Sequence, residues 1–126
     1  MRGEFADANF SGWSNFVVAE SDFNVFVDQL KSFSKAFEGL PSLRTGWGEE
    51  TYFSLQFEKW KKSGTIWASG ELAYPIHSKV STNAPCSHRV AFGFPLEPTQ
   101  FDMFLRGLTN VKDQKENEAI LHGIEA

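Results

Sequence analysis

The chain has 126 residues, 41% of them apolar and 22% charged, which fits one folded domain and argues against disorder. Its net charge is −4 and no run of Lys or Arg exceeds two, so it lacks the basic patch on which nucleic-acid binding depends. Cys86 is the lone cysteine, which excludes an intrachain disulfide, and no apolar run nears the roughly 20 residues that span a bilayer.

The first residues, Met1 to Phe5, carry no hydrophobic signal core, and the expected compartment is a reducing cytoplasm, away from any membrane. Thirteen Phe and four Trp stand against two Tyr. Phe has no polar handle, so these rings predict a phenylalanine-rich core, whereas each Trp keeps an N–H that wants water or an acceptor.

Residues 1–19 read as a strand region. Phe16 and Val18 alternate with Asn15, Val17 and Ala19, with a turn expected at Asp7-Ala8-Asn9 and Gly12. Ser21 or Asp22 then supplies an N-cap for a helix. Phe23, Phe26, Val27, Leu30, Phe33 and Phe37 form one apolar stripe at helical spacing, with Asn24, Asp28, Lys31, Ser32, Lys35 and Glu38 on the other side. Gly39 suits the position just past the helix, and Pro41 prevents its continuation.

Leu43 to Glu50 reads as a turn-rich connector. Two alternating segments follow, joined by Lys61-Lys62-Ser63-Gly64: Phe53, Leu55 and Phe57, then Ile66, Ala68, Gly70 and Leu72. With Lys61 opposite Gly64, Phe57 faces Ala68, Leu55 faces Gly70 and Phe53 faces Leu72. A slip by one residue would set Leu55 opposite Glu71 and bury a carboxylate, so the first register is predicted. It places Glu58 beside Trp67 and Ser54 beside Glu71 on the reverse face.

Pro75 is expected to end the second strand of this hairpin, and Ile76 to Ser87 to form a long polar loop. A further strand places Val90, Phe92 and Phe94 on one face and Arg89, Ala91 and Gly93 on the other, closed by Pro95 and Pro98. Thr99-Gln100-Phe101-Asp102 has the form of a capping box, and Phe101, Phe104, Leu105 and Leu108 make a second amphipathic helix. These elements predict an α+β domain over residues 1–111, in the order β-α-β-β-β-α, with two amphipathic helices packed on one face of an antiparallel sheet. Residues 112–126 form a charged tail, either a helix docking Ile120, Leu121 and Ile124 or a frayed end.

No reactive constellation assembles. His77, His88 and His122 are far apart and without cysteines at ligand spacing, so no metal site is expected. Cys86 and His88 lack an orienting acid. Gly46-Trp47-Gly48 precedes a strand rather than a helix, the wrong setting for a phosphate-binding loop. Glu49 and Glu50 are adjacent and diverge. Neither catalysis nor a cofactor is expected. What the pattern offers is a surface: Tyr52, Gln56, Glu58, Trp60, Trp67, Ser69 and Glu71 share the hairpin face opposite the core. Aromatic rings among carboxylates suit a protein-binding face, although the N-terminal strands or a second copy of the chain could also cover it.

Several segments together resemble a family of small bacterial domains. They are Phe10-Ser11-Gly12, then Asp22-Phe23 opening a helix with Phe26-Val27-Asp28-Gln29-Leu30 and Phe37-Glu38-Gly39, then the strands Tyr52 to Phe57, Ser63 to Glu71 and Val90 to Phe94. Pro98-Thr99-Gln100-Phe101 opens the last helix of the pattern. Over residues 10–110 the chain is similar to the WapI-like immunity proteins, named for inhibitors of contact-dependent toxins. The resemblance implies the fold and a non-enzymatic role: neutralising a bacterial toxin domain by protein–protein contact. A basic toxin domain would complement an acidic aromatic face. The residues expected to meet the partner are Trp47, Glu49, Glu50, Tyr52, Trp60, Trp67 and Glu71. Two departures stand out: the chain lacks the leading strands of that family, and its loop from Pro75 to Ser87 is longer. The first leaves an edge that a second copy could complete, as a homodimer. The alternative expectation is a structural or small-ligand-binding homo-oligomeric module, with the loop from Pro75 to Ser87 shaping a pocket.

Overall fold

Alternation in the central strands decides where the core lies. The computed structural model describes residues 2–6, 11–15, 18–47, 50–60, 64–76, 86–115 and 118–123. Its elements are β1 (Arg2–Ala6), β2 (Ser11–Asn15), α1 (Glu20–Ala36), β3 (Ser42–Trp47), β4 (Glu50–Lys59), β5 (Ile66–Ile76), β6 (Cys86–Leu96) and α2 (Pro98–Lys112). β3, β4, β5 and β6 form one antiparallel sheet in chain order, and β1 pairs with β2 separately. The architecture is the α+β arrangement the sequence predicts.

The register of β4 and β5 is the predicted one: Phe57 opposite Ala68, Leu55 opposite Gly70, Phe53 opposite Leu72. On the β6 side, Ala68 faces Phe94, Gly70 faces Phe92 and Leu72 faces Val90. One sheet face therefore carries nearly all the large apolar side chains. Phe57, Ile66, Ala68 and Leu96 are fully buried there, joined by Phe26, Leu30 and Phe33 of α1 and by Phe101 and Phe104 of α2. Ring packing locks the layers: Phe57 and Phe101 meet edge-to-face with centroids 5.1 Å apart, and Phe33 and Phe101 meet at a tilt at 5.4 Å. Ser34 Oγ donates to Asp102 Oδ1 at 2.8 Å, tying the two helices.

The β1–β2 hairpin lies on the same face. A Cβ built on Gly3 would fall 2.8 Å from Phe53 Cδ2 and 3.1 Å from Leu72 Cδ2, so β1 runs directly over that end of the sheet. The N-terminal strands thus cover the core rather than the reverse face. The described part of the tail does likewise. Residues 118–123 have no regular secondary structure and run back along α2, with Ala119 and Leu121 against the core and Gln100 Nε2 donating to Gly123 O at 3.2 Å. Ile120 is exposed, and Ile124 lies outside the described residues.

Several local expectations need correction. The connector from Leu43 to Glu50 is mostly strand: β3 sends Leu43 and Thr45 into the core, and its glycine sits at a register shift between Thr45 and Gly46. The N-terminal region forms two strands, with residues 7–10, 16 and 17 outside the described set. α1 begins at Glu20 with Ala19 as N-cap and no capping side chain, so Ser21 and Asp22 fall inside the first turn. There Glu20 and Asp22 offset the helix dipole in place of a cap. α2 begins at Pro98, whose missing N–H and fixed φ suit a first helical position. The capping box accordingly joins Glu97 and Gln100, with Glu97 N donating to Gln100 Oε1 at 2.8 Å, two residues before the predicted one. Pro75 does not end β5. It pairs with Ser87 beyond the last β4 partner, where a missing donor interrupts no second ladder. Lys61 and residues 77–85 of the long loop lie outside the described residues.

Gly70 is the tightest approach in the sheet, since a Cβ there would lie 2.1 Å from Ser54 O and 2.7 Å from Phe92 Cζ. Gly70→Ala should therefore cost about 1–3 kcal/mol, the usual penalty of overpacking, in denaturant unfolding. Ser69→Ala, one residue away on the reverse face, should stay within about 0.5 kcal/mol of the parent.

Candidate binding face

With the helices, the β1–β2 hairpin and the tail all on one side, the reverse face of the sheet carries the small and polar halves of the strand alternation. Its rows follow from the register. Glu58, Trp67 and Pro95 form one row across β4, β5 and β6. Ser42, Gln56, Ser69 and Gly93 form the next, and Arg44, Ser54, Glu71 and Ala91 the one after. Arg89 opposes Ala73 beyond that.

An indole pair marks one end of this face. Trp60 follows β4, and its backbone N–H donates to Thr65 O at 2.8 Å, closing the β4–β5 hairpin, while Gly64 takes the positive φ of 85° that the turn requires. That closure sets the Trp60 ring against Trp67, with centroids 5.1 Å apart and planes at 53°. Trp67 in turn lies across Gly93, where an added Cβ would come within 2.6 Å of its Cζ2 atom. The missing side chain at Gly93 is what lets the indole approach the β6 backbone so closely. Trp60 remains 37% exposed, which sets it apart from the buried phenylalanines of the opposite side.

Towards the other end the side chains shorten and a polar groove opens. It encloses about 510 Å³ and is lined by Ser42, Arg44, Ser54, Gln56, Ser69, Glu71 and Arg89, with Leu43, Leu55 and Gly70 contributing to its walls. Arg89 Nη1 donates to Glu71 Oε1 in a diagonal cross-strand ion pair, both side chains remaining more than a third exposed. Hydroxyls, an amide, one carboxylate and two guanidinium groups make this a hydrogen-bonding floor with charge at one end. Chemically it can hold polar groups by donation and acceptance while the indoles supply apolar contact.

Three of the seven expected partner-binding residues meet on this face: Trp60 and Trp67 in contact, and Glu71 in the groove. Trp47 and Glu50 oppose one another where β3 meets β4, and Tyr52 is the extra residue of the bulge that precedes them. For these three the description covers the backbone, and Glu49 lies outside the described residues. The bulge breaks the period of two, so the strand alternation that predicts the hairpin face does not carry through to this group. Arg44 and Arg89 were missed. Arg44 could have been found from the alternation of Ser42 and Arg44 with Leu43 and Thr45, had the glycines not suggested a connector.

Among the described residues, no group of three or more His, Cys, Asp or Glu is placed to hold a metal ion, and no helix is long and apolar enough to cross a membrane. No protein-family model, curated protein or solved structure matches the chain.

Trp60 and Trp67 should behave as a coupled pair. In a double-mutant cycle with Trp60→Ala and Trp67→Ala, unfolding free energies should reveal a coupling of about 0.5–1.5 kcal/mol. Gly93→Val should lift the Trp67 indole off the sheet and change the near-ultraviolet circular dichroism of the pair. An unaltered spectrum would contradict the close approach of Trp67 to Gly93.

Proposed function

We propose that the chain is a non-enzymatic binding protein that receives a protein partner on the open sheet face. It would act in the manner of an immunity protein that neutralises a bacterial toxin domain by covering it. The observation that carries this reading is the Trp60–Trp67 pair, two large rings held on a face that none of the chain's described covering elements occupies. An aromatic anchor beside a polar, water-accessible rim is the composition from which protein interfaces draw their affinity. The resemblance of residues 10–110 to the WapI-like immunity proteins supports the same role. A net charge of −4 favours encounter with a basic toxin domain. A single cysteine fits work in a reducing cytoplasm, where such an inhibitor protects its own cell.

A second reading has an observation of its own. The hydroxyls, amide and ion pair that line the open polar groove would suit a small polar ligand. Small polar ligands that raise the melting temperature with the logarithm of their concentration above Kd, with Ser69→Leu abolishing the effect, would favour it.

The docking reading is tested by co-purification with the toxic product of a neighbouring gene. The double variant Trp60→Ala, Trp67→Ala should weaken that complex by about 30-fold or more, as removal of a hot-spot anchor does. Undiminished binding by a folded double variant would remove this face from consideration.

A further inference from the structure

The two edges of the four-stranded sheet are β3 and β6, and they differ in kind. β3 has six residues, shifts register between Thr45 and Gly46, and presents Arg44. Bulges, shortness and charge are the ordinary means by which an edge is kept from pairing. β6 has eleven residues, holds an unbroken register with β5 from Leu96 to Cys86, and contains no lysine. Among the described residues no strand lies on its outer side. Val90, Phe92 and Phe94 on its core face are only partly buried, while Leu96 at its end is fully so. The rings of Phe92 and Phe94 lie side by side, 6.1 Å apart at 29°. The core thus reaches the sheet edge with apolar surface still in contact with water.

We propose that β6 pairs antiparallel with β6 of a second copy of the chain, about a two-fold axis through Ala91. The proposal stands apart from the docking of a toxin domain. The strand itself selects the occupant. The register that pairs the whole of Cys86–Leu96 with its own copy centres on Ala91. In that register Ala91, a small side chain, meets its own copy at the axis, where identical side chains must face one another. Val90 opposes the partner's Phe92, joining one apolar core to the other. Arg89 opposes the partner's Gly93, and the two Arg89 residues stand about 13 Å apart along the strands, which avoids a like-charge contact. Cross-strand neighbours share a face, so both open faces stay on one side of a continuous eight-stranded sheet. Pro95 lacks an N–H but opposes the partner's Ser87 near the strand end, where at most one ladder bond is lost. A two-fold contact closes on itself, and the bulged β3 at each outer edge ends the assembly.

The test uses the full chain with Cys86→Ser, which removes the native thiol. Residues directly opposed at a two-fold lie about 4.5–5.5 Å apart between Cα atoms, inside the roughly 4.4–6.8 Å span of a disulfide. Sedimentation should show a dimer in the micromolar range, and Ala91→Cys should cross-link almost fully under mild oxidation. Arg89→Cys, remote from its own copy, should not. Ala91→Lys, bringing two ammonium groups together at the axis, should weaken dimerisation by at least about tenfold while far-ultraviolet circular dichroism stays unchanged. A monomer throughout that range would overturn the proposal. So would a dimer that Ala91→Lys leaves intact, or one in which Arg89→Cys cross-links as readily as Ala91→Cys.

Discussion

Phe57 facing Ala68 across β4 and β5 fixes the parity of the whole sheet. Once that pair points inward, Phe53, Leu55, Ile66 and Leu72 must do so as well, and Glu58, Trp67, Ser69 and Glu71 must point outward. A shift by one residue would exchange the two sets and leave Glu71 in an apolar interior without a partner. β6 inherits the constraint through Ala68 and Phe94, and β3 through Leu55 and Leu43. The remaining elements then have one place to bury their own apolar surface. α1, α2, the β1–β2 hairpin and the described tail all gather on the phenylalanine side.

That sorting gives the molecule two unlike surfaces, and the proposed binding role uses the second. A sheet face covered by helices needs bulk, whereas a face left to water needs only polarity and small side chains. Serine, glutamine and glycine satisfy the requirement along most of the outer rows. The tryptophans do not. Trp60 keeps a large apolar ring exposed and Trp67 stays partly so against it, and the chain leaves residue 93 without a side chain where the Trp67 ring approaches the strand. Solvation of the sheet does not call for such a device, which is why the proposed docking of a partner rests on these rings.

Much of the architecture was legible because it depends on periodicity. The stripe from Phe23 to Phe33, the Phe101–Phe104 face and the β4–β5 register all follow from side chains repeating at the spacing of their element. Less legible were features in which tertiary packing overrides a local signal. Gly46 and Gly48 suggested a turn, yet one marks a bulge in a strand whose buried residues, Leu43 and Thr45, are too few for a strong alternation. Prolines misled in β5 and β6, since Pro75 and Pro95 each lie where a single ladder runs past them. The helix starts moved because Pro98 claims the first helical position of α2, and because the charges of Glu20 and Asp22 serve α1 in place of a cap. On the candidate face, the indoles could be read from strand parity. Arg44 and Arg89 became part of the site only when four strands were set side by side.

Thiol accessibility on either side of β5 tests this arrangement most directly, in a chain carrying Cys86→Ser. Ser69→Cys lies on the open face and should react with a soluble thiol reagent close to the rate of an unstructured peptide. Ala68→Cys, its neighbour on the core face, should be protected by about a thousandfold or more, until global unfolding exposes it. Equal labelling of the two positions, or protection of residue 69 with residue 68 reactive, would contradict a sheet covered on its phenylalanine side and open on the other.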